Sequence, residues 1–281
     1  MRLFRWSTIF VFIILLAPFD SHAQELTADE IIAKHVGSVG KKEVREQVKT
    51  LLALGLSSFE SQSPQVRGGG KGMVVSDQGN LMWAISLNSR DYPYEKIGYF
   101  KDKVSLPYIS AGQRSLLGTF IIEHPRLLTE GLFGGVMSLR WPLFEMKGKT
   151  RIKSLGIKKV DGRKLYVLSY QPDGGGADEF TIKLFFDSET FAHVRSEYHR
   201  EFSPANPQFG QANQLSNSEI TLTETFADFK TADDITLPYT YAVEFSSNSN
   251  TSSYKTTWGI KVSQYYINQQ LAADFFTFDP K

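Results

Sequence analysis

The chain has 281 residues, with 31 Lys+Arg against 30 Asp+Glu, five His and no Cys. So even a balance excludes an ordinary electrostatic nucleic-acid binder, and the lack of Cys excludes disulfides, thiolate metal sites, Cys nucleophiles and a lipid-modified Cys. At 41% hydrophobic and 13% aromatic, the chain is neither disordered nor collagenous, and it is long enough to bury one large core.

Residues 1–23 read as a secretory signal. Arg2 and Arg5 precede the apolar run Ile9–Ala17, Pro18 and Asp20 break it, and Ser21-His22-Ala23 offers a cleavage site. A membrane-spanning helix needs about 20 apolar residues, more than this run supplies. Gln24 rather than Cys follows the expected cut, so no lipid anchor is expected there. Cleavage would remove two Arg and one Asp, leaving residues 24–281 formally neutral. The expectation is one exported domain, 24–281, soluble outside the cytoplasm.

That domain opens with a capped helix. Thr27-Ala28-Asp29-Glu30 fits a capping box, with Leu26 and Ile31 at the two staple positions. Gly37 and Gly40 end the helix, and a short helical stretch (KKEVREQV) leads into a strand, Lys49–Ser58, interrupted by Gly55. The pattern then turns to period two. Leu81, Trp83, Ile85 and Leu87 alternate, as do Phe180, Ile182, Leu184 and Phe186. Leu237, Tyr239, Tyr241, Val243 and Phe245 follow suit, then Tyr254, Trp258, Ile260 and Val262. Such alternation predicts antiparallel strands, roughly ten of them. Asp161-Gly162 joins Thr150–Val160 and Arg163–Tyr170 as a type I′ hairpin. One helical block, Gln113–Glu130, places Leu116, Leu117, Phe120, Ile121 and His124 on one side, with Pro125 kinking or splitting it. Asp173–Ala177 and Ser246–Ser253 read as loops.

Few residues invite chemistry. Gly68-Gly69-Gly70-Lys71-Gly72 lacks the order of a phosphate loop and is expected as a turn into a strand. On a regular strand His193, Arg195, Glu197, His199 and Glu201 share one face. One metal could reach Glu197 and His199, yet no spacing supplies a third ligand, so a solvated charged face is the favoured reading. His124 is expected as a hydrogen-bonded structural residue. No Gly-x-Ser-x-Gly, His-Glu-x-x-His or paired carboxylates stand out, and no catalytic residue, metal or cofactor is predicted. Phe185 and Phe186, adjacent on one strand, must point to opposite faces, which implies that both faces are partly covered.

Several segments together resemble a known family. They are the capped ADEIIAKHVGSVG, the hairpin IKKVDGRKLYVLSYQPDGG, the stretch IKLFFDSETFAHVRSEYH, and ITLPYTYAVEF, WGIKVSQYYIN and ADFFTFDP. These are similar to the LolA/LolB-like periplasmic superfamily, which includes outer-membrane lipoprotein-sorting and RseB-type domains. The resemblance narrows the location to the periplasm and implies an α+β fold, mainly antiparallel β. Its sheet would be a strongly curved, unclosed half-barrel with helices covering the concave face. Asp187 and Thr190 would then belong to a turn. The implied function is a non-enzymatic binding protein holding a lipid or lipoprotein acyl chain between helix and sheet. Trp83, Ile85, Leu117, Phe120 and Ile121 are its candidate lining. A lipoprotein or envelope protein is the candidate macromolecular partner. The alternatives are a sensory or structural interaction module of the same fold with a filled core, and an exported hydrolase or metalloenzyme.

Overall fold

The computed structural model describes residues 26–62, 64–145, 151–172, 180–202, 218–249, 252–272 and 275–276. The expected signal segment and the Asp173–Ala177 loop lie outside them.

Two helices lead the chain, α1 (Ala28–Val39) and α2 (Lys42–Gln47). The capping box forms as read: the Glu30 amide donates to the Thr27 hydroxyl, and Glu30 accepts from the Thr27 amide at 2.8 Å. Five strands follow: β1 (Thr50–Gln62), β2 (Gln65–Asp77), β3 (Leu81–Ser86), β4 (Tyr94–Phe100) and β5 (Lys103–Ser105). A connection, 106–144, carries α3 (Leu116–Glu123), α4 (Arg126–Thr129) and a 3-10 turn at Gly135–Met137. The rest is β6 (Arg151–Val160), β7 (Arg163–Gln171), β8 (Thr181–Asp187), β9 (His193–Phe202), β10 (Ser218–Ala232), β11 (Ile235–Ser249) and β12 (Ser253–Ile267).

The described strands make one open antiparallel sheet in the order β5-β4-β3-β2-β1-β12-β11-β10-β9-β8-β7-β6. The sheet therefore has twelve strands where alternation predicted about ten. β11 and β12 run deep into Ser246–Ser253, which the Ser/Asn content had marked as loop. Ladder pairing from Thr240↔Lys261 to Asn248↔Ser253 carries those polar residues, because neighbouring strands satisfy backbone groups whatever the side chains.

The Gly68–Gly72 run is likewise strand, paired with β1 from Gly68↔Phe59 to Gly72↔Gly55. A Cβ at Gly69 or Gly70 would stand 2.7 Å or 2.5 Å from the carbonyl oxygens of Ser57 and Ser86, so these glycines permit a close approach of strands. A bulge does fall at Gly55, where the β1–β12 register shifts. Asp161 (φ 50°) and Gly162 (φ 82°) make the expected primed turn.

All the alternating apolar sets meet on one face. Leu81, Trp83, Ile85, Ile182, Leu184, Phe186, Leu237, Tyr241, Trp258 and Ile260 form one core with Ile31 of α1, Leu117, Phe120 and Ile121 of α3, and Leu127 and Leu128 of α4. Pro125 splits the predicted helix into α3 and α4. Leu116 departs from its predicted side and is 53% exposed, because the block breaks into short turns. The opposite sheet face is covered in two places. Leu271, Phe275 and Phe276 close over Val75, Met82 and Ala84, while Leu165, Val167, Phe185 and Val194 form a separate cluster. Phe185 and Phe186 do point apart.

Candidate functional site

Trp83, Ile85, Leu117, Phe120 and Ile121 come together in the main core, none more than 3% exposed. Trp83 packs edge-on against Phe133 with 6.2 Å between ring centroids, and its buried indole N–H has no acceptor among the described residues. Phe120 contacts Phe180 and Phe245 at 5.3 and 5.2 Å. None of these five side chains lines the cleft that stands open at one end of the core.

The connection 106–144 is pinned over this core by buried polar groups. Glu224 of β10 accepts from the Gly134 amide (2.7 Å), Tyr241 Oη (2.5 Å) and Tyr198 Oη (2.8 Å). Burial pushes its carboxyl up to about 7 against the pull of those three donors. Glu95 of β4 is also brought up to about 7 by burial, and it accepts from Tyr92 and Ser115, the latter being the N-cap of α3. The Leu139 amide donates to Ser76 Oγ at 2.9 Å.

Trp141 Nε1–H donates to His35 Nε2 at 3.2 Å, so the proton of His35 must sit on Nδ1, which donates to Phe191 O at 3.0 Å. Burial pulls His35 down to about 4. His193 stacks on Trp141 at 4.7 Å and is held well below its usual value by burial and by His35 beside it. His193 Nε2 meets Ser196 Oγ at 3.0 Å, and a hydrogen bond with the Arg195 backbone works against the downward shift.

That placement corrects the expected charged face on β9 at one residue, His193. A bulge pairs Phe185 with Arg195 but Phe186 with His193, and the extra residue swings His193 to the core beside Ser196 and Tyr198. Val194 moves to the opposite cluster. Glu197 then pairs with Arg195 at 2.6 Å, and His199 contacts Thr221 Oγ1 at 2.9 Å and Glu201 at 3.2 Å. Among the described residues no group of three or more His, Cys, Asp or Glu side chains is placed to hold a metal ion. His35 is a hydrogen-bonded core residue, and His124 packs its ring on Phe120 and Phe180 at 4.9 and 4.7 Å. Asp187 caps its turn, with Oδ1 accepting from the amides of Glu189 and Thr190 and from the Thr190 hydroxyl.

Open space lies elsewhere. A cleft of about 1070 Å³ stands at one end of the main core, between α2, the starts of β1 and β11, the end of β12 and the last part of the connection. Its apolar wall includes Leu51, Val136, Leu139, Leu237 and Ile267, with Trp141 and Phe144 beside them. Its rim carries Lys42, Arg45 and Lys49, with Arg140 deeper, against two acids, Glu46 and Glu145. The volume sits at the top of the range usual for small-molecule sites, about 300–1,000 Å³.

Sequence reading missed this site, because five separated segments converge on it. The one available signal was the spacing of Lys42, Arg45, Glu46 and Lys49, which puts them on one side of a helix and its exit. No helix among the described residues is long and apolar enough to cross a membrane.

No family model matches the chain, and no curated protein matches it. Solved structures do. The chain is similar to a LolA superfamily protein from Nitrosomonas europaea, at 12% identity and a TM-score of 0.42, covering 90% of this chain and 98% of that one. It is similar to an outer membrane lipoprotein-sorting protein domain from Vibrio parahaemolyticus, at 13% identity and a TM-score of 0.43, covering 87% and 94%. A DUF1329 family protein from Desulfovibrio piger matches at 11% identity with a TM-score of 0.42, covering 88% and 95%.

Proposed function

We propose that this is an exported, non-enzymatic binding protein that holds the acyl portion of a lipid or lipoprotein in the cleft between α2, β1, β11 and the connection 106–144. One observation carries the reading: this cleft is walled on one side by aliphatic and aromatic core side chains. An acyl chain laid against Leu51, Val136, Leu139 and Ile267 would gain about 25 cal/mol per Å² of apolar surface buried, with few directional contacts. Trp83, Ile85, Leu117, Phe120 and Ile121 belong to the same core without lining the cleft, and in this proposal they support the fold rather than touch the ligand.

Organic extraction of the purified protein followed by mass spectrometry should release lipid, and a fluorescent acyl probe should bind saturably. Leu139→Trp, which fills the cleft from a partly buried position, should weaken the probe about tenfold, the scale of about 1.4 kcal/mol. A lipid-free protein that binds no acyl probe would overturn the reading.

A second reading has its own observation. β6 is an edge strand that leaves Leu155 and Ile157 41% and 46% exposed. Strand addition by a protein partner would use that edge. Ile157→Pro would abolish such an interaction while leaving acyl binding intact.

A further inference from the structure

We infer that the cleft selects amphiphiles with an anionic head, and that Arg45 is the residue that receives it. This rests on the cleft being the acyl site proposed above, and it adds the chemistry of the ligand's other end.

Charge is unevenly placed on this molecule. Residues 24–281 are formally neutral, yet the cleft lining holds four cations, Lys42, Arg45, Lys49 and Arg140, against Glu46 and Glu145. Arg140 is committed to the fold: its guanidinium donates to the carbonyls of Leu128 and Thr129, 2.5 and 2.9 Å away, and lies over the Tyr99 ring. Lys42 faces Glu46 at 3.7 Å, a pair so exposed that it is worth little. Lys49 donates to the Glu46 carbonyl at 2.8 Å.

Arg45 differs from all three. It is half-buried, its Nε donates to the Gly40 carbonyl at 3.1 Å, and its guanidinium carbon lies 5.5 Å from the centre of the Phe144 ring. Those two contacts hold the planar group in place, and its terminal nitrogens have no acceptor among the described residues. No carboxylate there lies within ion-pair distance of it, and Glu46 and Glu43 attract its charge from further off. Burial lowers its pKa, and the guanidinium stays charged all the same.

A fixed, half-desolvated fork of donors at the mouth of an apolar cleft matches a phosphate or carboxylate carried on an alkyl chain. The ammonium groups of Lys42 and Lys49, on the same side of α2 and its exit, add longer-range attraction that salt would screen.

The test uses one chain length with three heads: dodecyl phosphate, dodecanoate and dodecanol, each below its micelle concentration, with inorganic phosphate as the head alone. Titration calorimetry on the full mature protein should show both anions binding about tenfold more tightly than dodecanol, with the gap narrowing at high salt. Inorganic phosphate should not compete at millimolar concentration, since the chain supplies most of the binding. Arg45→Gln should weaken both anions far more than dodecanol and so close the gap, and Arg45→Lys should restore part of it. If Arg45→Gln proves unfolded by circular dichroism, Lys49→Gln, at an exposed position, should narrow the gap more modestly. Equal binding of dodecanol and the anions would overturn the inference and leave the acyl site standing. So would a gap untouched by every folded variant. Competition by inorganic phosphate would also overturn it, by assigning the cations to a free anion. Failure of all three chains to bind would remove both.

Discussion

Gly135 shows how tightly single residues are held here. It adopts φ +47°, and an added Cβ would stand 2.7 Å from the Phe226 ring and 3.0 Å from His193 Nδ1. Gly135→Ala should therefore combine left-handed backbone strain with overpacking and lower stability by about 2–3 kcal/mol, read from the urea midpoint at unchanged m-value. Nothing in the residue pattern announced this position. Its demand comes from β9 and β10, about 60 and 90 residues further along the chain. His193 makes the same point. Strand periodicity placed it with Arg195 and Glu197, and a single bulge residue turned it inward. A local irregularity of that kind leaves no trace in an alternating pattern.

At the scale of elements, the local signals were sound wherever the physics was local. The capping box of α1 closes within four residues, so Thr27→Ala should cost about 1 kcal/mol and fray the first turn, measurable as faster amide exchange there. The Asp161-Gly162 turn and the Asp187 cap are equally self-contained, each decided by a few adjacent backbone groups. Strand extent was less legible. β2 passes through three consecutive glycines and β11 through a Ser/Asn run, because ladder partners rather than propensity decide where pairing stops. The connection 106–144 is the extreme case. Its anchors are Ser76, Glu95, Glu224 and His35, drawn from β2, β4, β10 and α1.

For the whole molecule, those buried anchors set the dependence of stability on pH. Glu95 and Glu224, raised to about 7 by burial, stay protonated in the native state where the unfolded chain has released its protons above 4.5. Their contribution is fully present at low pH and is lost as pH rises through 7. His35 and His193 act oppositely. The unfolded chain takes up protons below 6.5 that the native state refuses, down to about 4 for His35, so stability is lost as pH falls. The two trends oppose one another from about pH 5 to 6.5, where denaturation curves should change little, and stability should decline on either side. Glu224→Gln should remove about half of the alkaline decline by taking one of the two carboxyl titrations away. A profile still rising from pH 6.5 to 8 in the parent would contradict this account.

By itself the sequence determined the alternation of β3, β8, β11 and β12, the start of α1 and the tight turns. These depend on groups a few bonds apart or on the two-residue repeat of a strand. Only the tertiary structure decided that the twelve described strands share one open sheet, that Leu117, Phe120 and Ile121 of the helical block pack into one core with Trp83, and that a cleft opens beside Arg45. A cavity is what packing leaves over. Its place follows from the summed volumes of side chains brought together from distant parts of the chain, and no local pattern records that sum.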